Sequence, residues 1–185
     1  FSVLQSTISV AAVVKAAVQQ KMPAVAMTDH ANLMGAFHFV RDILYHNKSA
    51  KAKNEAAIAN GEEATEVLMK PIVGCEFFVC EDHKNKSVKD NGYQIVLLAK
   101  TKKGYHNLAK MSSIAYTEGF YYVPRIDRKV IQEFKEDIIV LSGNLYGEIP
   151  NKILNIGENQ DEEALIWWKN EFKEDFNIEV RRQNQ

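Results

Sequence analysis

The sequence has no surplus of basic charge: 23 Lys and Arg stand against 24 Asp and Glu, for a formal net charge of −1. An autonomous nucleic-acid binder usually carries a basic excess, so that class is disfavoured, though contact with DNA through other parts of a larger protein is not. No apolar run approaches the roughly 18–20 residues needed to span a bilayer, and no membrane partner is expected. No basic start leads into an apolar stretch and a small-residue cleavage site, so no secretory signal is read. Cysteine is scarce. Cys75 and Cys80 lie in one apolar run, and within a single strand they are too far apart for an easy disulfide. Free, half-buried thiols in a cytosolic protein are the plain reading. No internal repeat is apparent. The chain opens at Phe1 without Met and stops at Gln185 directly after a strand-like segment, so both ends read as cut.

What is present suits a soluble globular protein. With 46% hydrophobic and 25% charged residues over 185 positions, the chain fits one domain, or most of one, with a sizeable core. Spacings of three and four through Val10, Val13, Val14, Ala17 and Val18 predict a helix over Ile8 to Met22, with Ser6 or Thr7 as N-cap and Pro23 as its stop. Ala24 to Met27 reads as a buried strand ending at Thr28-Asp29-His30. A second helix follows, with Phe37, Val40, Ile43 and Leu44 on its inner face. The stretch 47–68 is rich in Lys, Ala, Glu and Asn and reads as an exposed insertion or loose helix, partly disordered. Ile72 to Cys80 and Tyr93 to Ala99 read as strands around a polar turn. Lys103 to Thr117 is a helix closed by Gly119. A short helix over Arg128 to Phe134 and a strand at Ile138 to Leu141 come next. Helices around Pro150 to Ile156 and from Glu162 to Phe172 precede a last strand, Phe176 to Val180. Apolar strands alternating with helices favour an α/β fold with a mostly parallel sheet. Sites in such folds gather at the carboxyl ends of strands, where Asp29-His30, Glu76 and Ser142-Gly143-Asn144 fall.

Asp29 and His30 set a carboxylate beside an imidazole, a donor pair suited to zinc, manganese or iron. Glu76 interrupts an apolar strand, and a buried carboxylate needs a cation, a hydrogen bond or solvent. A metal site accounts for both. The plainer account has Asp29 capping the next helix, His30 hydrogen-bonded and Glu76 facing an edge. His38 and His46 sit two helical turns apart, too far to chelate one ion together. His83, in a Lys-rich turn, and His106, on an amphipathic helix, have no ligand partner nearby in sequence. The cysteine spacing matches no zinc-knuckle pattern. Phe120-Tyr121-Tyr122 with Pro124-Arg125 combines aromatics with a cation, which suits either nucleotide stacking, with Arg125 lining the site, or packing of a loop onto the core. Only one indole of Trp167-Trp168 can point fully inward.

Together these segments resemble the PHP (polymerase and histidinol phosphatase) domain of bacterial DNA polymerase III α subunits along nearly the whole chain. Phe1-Ser2-Val3-Leu4 looks like the tail of the family's first motif. Ala26 to Ala36, with Thr28-Asp29-His30, is similar to the second, and Lys70-Pro71-Ile72-Val73-Gly74-Cys75-Glu76 to the third. The run from Leu97-Leu98-Ala99-Lys100 through Gly104-Tyr105, Asn107-Leu108 and Thr117-Glu118-Gly119-Phe120-Tyr121 to Pro124-Arg125-Ile126-Asp127 is the most specific. It resembles the polymerase branch rather than free-standing phosphatases. Leu141-Ser142-Gly143 and Gly147-Glu148 complete the match.

The resemblance implies a distorted seven-stranded β/α barrel, here incomplete at both termini. In active members a cluster of zinc, manganese or iron ions hydrolyses phosphoesters, in some polymerases as a proofreading exonuclease. Three family ligand positions fall on Gln5, Gln94 and Asn144, leaving His30 and Glu76 as metal-ligand remnants. Neutral amides bring no charge to offset a metal cluster, and they can bond one another instead. The expectation is a degenerate, non-catalytic PHP domain without a cofactor of its own, in a bacterial cytoplasmic polymerase that uses Mg. Its partners would be the rest of the α chain, a proofreading subunit, and DNA through the parent protein. The alternative is a metal-dependent phosphoesterase or 3′–5′ exonuclease.

Overall fold

The computed structural model describes residues 6–155 and 158–180. In chain order the elements are α1 (Val10–Gln19), β1 (Ala24–His30), α2 (Ala36–Ala59), β2 (Lys70–Cys80), β3 (Tyr93–Ala99), α3 (Lys102–Thr117), β4 (Arg125–Asp127), α4 (Arg128–Phe134), β5 (Ile138–Leu141), α5 (Glu148–Asn155), α6 (Glu158–Phe172) and β6 (Phe176–Asn177). Two compact units divide the chain: Phe1–Met27 with Met34–Val73, and Thr28–Leu33 with Gly74–Gln185. No helix among the described residues is long and apolar enough to cross a membrane.

In the first unit, Ser9 caps α1 rather than Ser6 or Thr7, its side chain accepting the Ala12 N–H at 3.2 Å. Val14 and Ala17 of α1 pack with Phe39, Ile43 and Met69. The inner face of α2 is therefore set by Ala36, Phe39 and Ile43, while Phe37 and Leu44, expected inside, are 70% and 57% exposed. Both phases fit a 3.6-residue period, and the buried one is chosen by the fit of Phe39 against α1. The segment read as an insertion or loose helix is the second half of α2 followed by a return segment. Two asparagines on α2 tie that return down. Asn47 donates to the Met69 carbonyl at 2.7 Å and accepts the Met69 N–H at 2.8 Å. Asn54 repeats the arrangement with Glu66, and His46 bonds the Val67 carbonyl. Each amide thus pairs with backbone much as a neighbouring strand would.

The sheet has the order β1-β2-β3-β5-β6, with β4 paired to β2. It is mixed, not mostly parallel: β2–β3 and β3–β5 are antiparallel, β2–β4 and β5–β6 parallel. Apolar runs report that both faces of a strand are covered, which says nothing of its direction. On one face of the second unit Cys75, Phe77, Val79, Ile95, Leu97, Ile138 and Val140 meet Leu108 and Met111 of α3, Val130 and Ile131 of α4, and Trp168 and Phe172 of α6. Each large side chain so buried contributes about 1.5–3 kcal/mol. Of the tryptophan pair Trp168 is the inward one, 1% exposed, while Trp167 lies under the Arg128 guanidinium at 4.4 Å. Glu148, buried at the start of α5, accepts from Trp168 Nε1 at 2.9 Å and from Arg128 and Lys152 at 2.7 Å. The last strand is shorter than its apolar content suggested: β6 covers two residues, and the segment after it is fastened by the Glu179 N–H to Ser142 Oγ at 2.9 Å.

Candidate functional site

Side chains alternate across a strand, so the face of β2 opposite the core carries Gly74, Glu76 and Phe78. Antiparallel partners share a face, and the register sets Val96 against Glu76 and Gln94 against Phe78. His30, the last residue of β1, reaches Glu76: Nδ1 lies 2.8 Å from Oε1, with 15% and 20% of the two side chains exposed. The His30 ring stands edge-on to Phe78 at 4.5 Å. The turn after β1 is pinned to β2 and α3. Ala31, at φ +54°, donates its N–H to the Glu76 carbonyl at 2.8 Å and accepts Ser112 Oγ at 2.7 Å. Asn32 holds the His30 carbonyl at 2.9 Å. A histidine–carboxylate pair on a partly open sheet face is thus built from elements distant in sequence.

Gln94 meets the loop that carries Asn144 at the backbone level. The Gln94 N–H donates to the Tyr146 carbonyl at 2.9 Å. Gly143, at φ +79°, lies so close that a Cβ would sit 2.7 Å from the Gln94 carbonyl. The Asn144 side chain turns onto its own loop, Oδ1 accepting the Tyr146 N–H at 2.8 Å. That bond replaces the amide–amide pairing suggested by the sequence with a local Asx turn. Asp29 is buried on β1, and Gly35, not Asp29, precedes the first turn of α2. Gln5 lies outside the described residues. Cys75 and Cys80 are free and buried. Burial, with the Asp29 and Glu76 charges adding to it, pushes the Cys75 thiol well above its usual range. Burial likewise pushes Cys80 up to about 11, so both stay protonated at neutral pH.

Arg125, read from the sequence as a possible site-lining cation, packs inside the fold. It is wholly buried, and its guanidinium donates to four carbonyls: Gly119 at 3.1 Å, Asp90 at 2.7 Å, His83 at 3.2 Å and Asn85 at 2.9 Å. These bonds hold the β2–β3 connection to the end of α3. Gly119 is required there, since a Cβ would collide with the Arg125 carbonyl. Tyr121 lies beneath the same guanidinium at 5.4 Å, whereas Phe120 and Tyr122 are 48% and 65% exposed.

Beside Arg125 lies a second histidine–carboxylate pair, which sequence reasoning missed. His83 Nδ1 is 2.6 Å from Asp127 Oδ2, both residues buried. Asp127 also caps α4 through the Val130 N–H at 3.0 Å. Burial alone would raise the Asp127 carboxyl, but the bonds from His83 and from the Val130 N–H hold it below its ordinary value. One ligand atom each of Asp82, His83 and Asp127 lie within 4.8 Å of one another. The partners are 44 residues apart in sequence, and the signal available was a histidine in the turn after β2 with an acidic N-cap downstream.

Comparison with known families agrees with these elements along nearly their whole length: the PHP domain profile matches residues 1–183. The chain belongs to the PHP domain family. Its relatives include the DNA polymerase III subunit alpha of Chlamydia trachomatis, 37% identical over 98% of this chain and 13% of the relative. That of Aquifex aeolicus is 33% identical over 100% of this chain and 15% of its own length. The protein of the same name from Thermus aquaticus is 41% identical over 71% of this chain and 10% of its own. The chain therefore spans only about 13% of the length of the first of these relatives. In this PHP domain His30 and Glu76 are bonded to each other, Gln94 lies opposite Phe78, and Asn144 closes its own turn.

Proposed function

We propose that this PHP domain is a segment of the α subunit of a bacterial replicative DNA polymerase III, where it acts as a non-catalytic scaffold. It braces the polymerase body and offers a surface to a proofreading exonuclease subunit. Polymerisation, with its Mg ions and its grip on DNA, belongs to the rest of the parent chain, and the setting is the bacterial cytoplasm. The six strands described form part of a seven-stranded distorted barrel that further chain completes.

The observation that carries the scaffold reading is the donor set around the His30–Glu76 pair. The residues do not fit the metal cluster of active PHP domains. Gln94 and Asn144 contribute no charge, Asn144 uses Oδ1 to close its own loop, and the His30 and Glu76 side chains are engaged with each other at 2.8 Å. Amide oxygens are poor ligands for transition metals beside imidazole and carboxylate, so repulsion within a cluster of divalent ions would go uncompensated. The near-neutral net charge of −1 fits a protein-facing module better than a nucleic-acid-facing one.

A second reading, a metal-dependent phosphoesterase or 3′–5′ exonuclease, draws on the same pair, because His30 and Glu76 are the ligand types such an enzyme needs. Elemental analysis of the full-length protein, purified without chelators, and a 3′–5′ exonuclease assay on its His30→Ala and Glu76→Gln variants separate the two. The scaffold reading expects no nuclease activity dependent on either residue and no metal lost on substitution. Nuclease activity that disappears with either variant would replace it by the second reading.

A further inference from the structure

His83 carries a buried ring nitrogen that bonds nothing among the described residues. The residue is 6% exposed, and Nδ1 is held by Asp127 Oδ2 at 2.6 Å. That carboxylate already accepts the Val130 N–H through Oδ1 and the His83 N–H through Oδ2. An ionised carboxylate has no proton to donate, so Nδ1 carries the hydrogen and the neutral ring presents its lone pair at Nε2. Nε2 is buried and, among the described residues, has no hydrogen-bond partner. Glu118 Oε2 faces it at 4.0 Å. Protonating Nε2 does not resolve this, because 4.0 Å is beyond hydrogen-bond reach. A metal ion does. Tetrahedral zinc binds nitrogen and carboxylate oxygen at roughly 2.0–2.2 Å and so sets two ligands about 3.4 Å apart. The exposed Glu118 side chain closes that gap by moving about 0.6 Å toward Nε2.

The surroundings supply further donors and charge. Asp82, exposed, offers a carboxylate oxygen within 4.8 Å of ligand atoms on His83 and Asp127. The Asp82, Glu118 and Asp127 carboxylates outnumber the Lys84 and Arg125 cations beside them. Lys84 Nζ is 3.1 Å from Glu118 Oε2, but its side chain is 67% exposed, and a surface pair of this kind is weak and readily displaced. A metal-bound histidine characteristically gives its other N–H to a carboxylate, which fixes the ring and raises its basicity. Asp127 is already placed to do that.

We propose that His83 Nε2 and Glu118 form the protein side of a divalent-cation site of zinc type, with the ring oriented by Asp127 and the Asp82 carboxylate adding negative charge nearby. An ion there would clip the start of the β2–β3 connection to the C-terminal end of α3. It is separate from the His30–Glu76 pair, since β2 alone runs roughly 13 Å from Glu76 to Cys80, at about 3.3 Å per residue.

The test is anomalous diffraction at the zinc edge from crystals of the full-length protein equilibrated with zinc chloride, paired with zinc titration calorimetry. The expected result is a peak about 2.0–2.2 Å from both His83 Nε2 and a Glu118 carboxylate oxygen. Glu118→Gln, at an exposed position where folding is safe, should weaken zinc binding at least about 10-fold, and Asp82→Asn, which removes only nearby charge, should weaken it less. A His30→Ala/Glu76→Gln double variant should leave the peak in place. No peak at His83 at saturating zinc, undiminished affinity in the Glu118 variant, or loss of the peak in the double variant would each overturn the proposal.

Discussion

Two histidine–carboxylate pairs with nearly the same contact distance form around β2 and the connection that follows it, yet they do different work. His30–Glu76 spans 2.8 Å on a partly open sheet face, with 15% and 20% of its side chains exposed. His83–Asp127 spans 2.6 Å, with 7% and 4% exposed, and its carboxylate also caps a helix. Removing a partner from the first pair lets water take the vacant bond. Removing one from the second strands a polar group in the interior, where the full desolvation penalty applies. Family motifs pointed to the first pair, and the weight of the local structure rests on the second.

The largest expected effect lies with the residue that anchors the second pair's surroundings. Arg125→Ala leaves four carbonyls of the β2–β3 connection and the α3 terminus without their donor. It should cost about 3–5 kcal/mol, since each hydrogen bond from a charged donor contributes about 1.5–3 kcal/mol and water recovers part of the loss, read as a drop in the urea midpoint of the full-length protein's PHP transition. Asp127→Ala comes next. It removes a helix cap, about 1 kcal/mol, and a charge-assisted bond to His83, about 1.5–3 kcal/mol. A loss no larger than that of an ordinary cap would erase the distinction between the pairs.

Acid gives a third comparison. The Asp127 carboxyl is held below its ordinary value although burial opposes this, by bonds from His83 and the Val130 N–H. Glu148 is held down likewise, against burial, by Lys152, Trp168 and Arg128. A lowered folded-state value means stability that is complete above the unfolded carboxylate range, about pH 4, and is lost as pH falls through the folded values beneath it. Urea midpoints measured from pH 7 downward should therefore fall below about pH 4, and Asp127→Asn should flatten that fall. The smallest effect is reserved for the first pair: His30→Ala or Glu76→Gln should cost only about 0.5–1.5 kcal/mol and, on the proposed scaffold reading, leave DNA synthesis by the proposed parent polymerase unchanged. A large loss of synthesis would mean that the open pair shapes the polymerase after all.

Much of this was legible in the sequence because it depends on local periodicity. The strand Tyr93–Ala99 and the helix Arg128–Phe134 have the limits that their apolar runs and flanking polar residues suggested. Strand direction was not legible, since an apolar run is the same read either way. Nor was the phase of α2, where Phe37 and Phe39 compete for the interior and tertiary packing chooses Phe39. His30 and Glu76 were found because each breaks a local rule, an imidazole ending a strand and a charge inside one. His83 broke none. A histidine in a polar turn looks ordinary until Asp127 arrives from 44 residues away. The bonding of Arg125 was illegible for a related reason: its partners are carbonyls, which every residue has and no motif records.

The four carbonyls gathered by Arg125 bear on how this region breathes. A loop whose ends are merely tethered opens by itself, and its amides exchange with solvent through small local fluctuations. Here the β2–β3 connection is held by a side chain whose own backbone is paired to β2 through Phe78 and Arg125. Releasing the loop therefore means withdrawing β4 from the sheet and uncapping α4 at Asp127. In deuterium exchange the Gly92 amide, bonded to Asp90 at 2.8 Å, should then be as slow as the core strands rather than as quick as a surface turn. A connection that reads as polar and dispensable would behave as part of the cooperative unit that unfolds last.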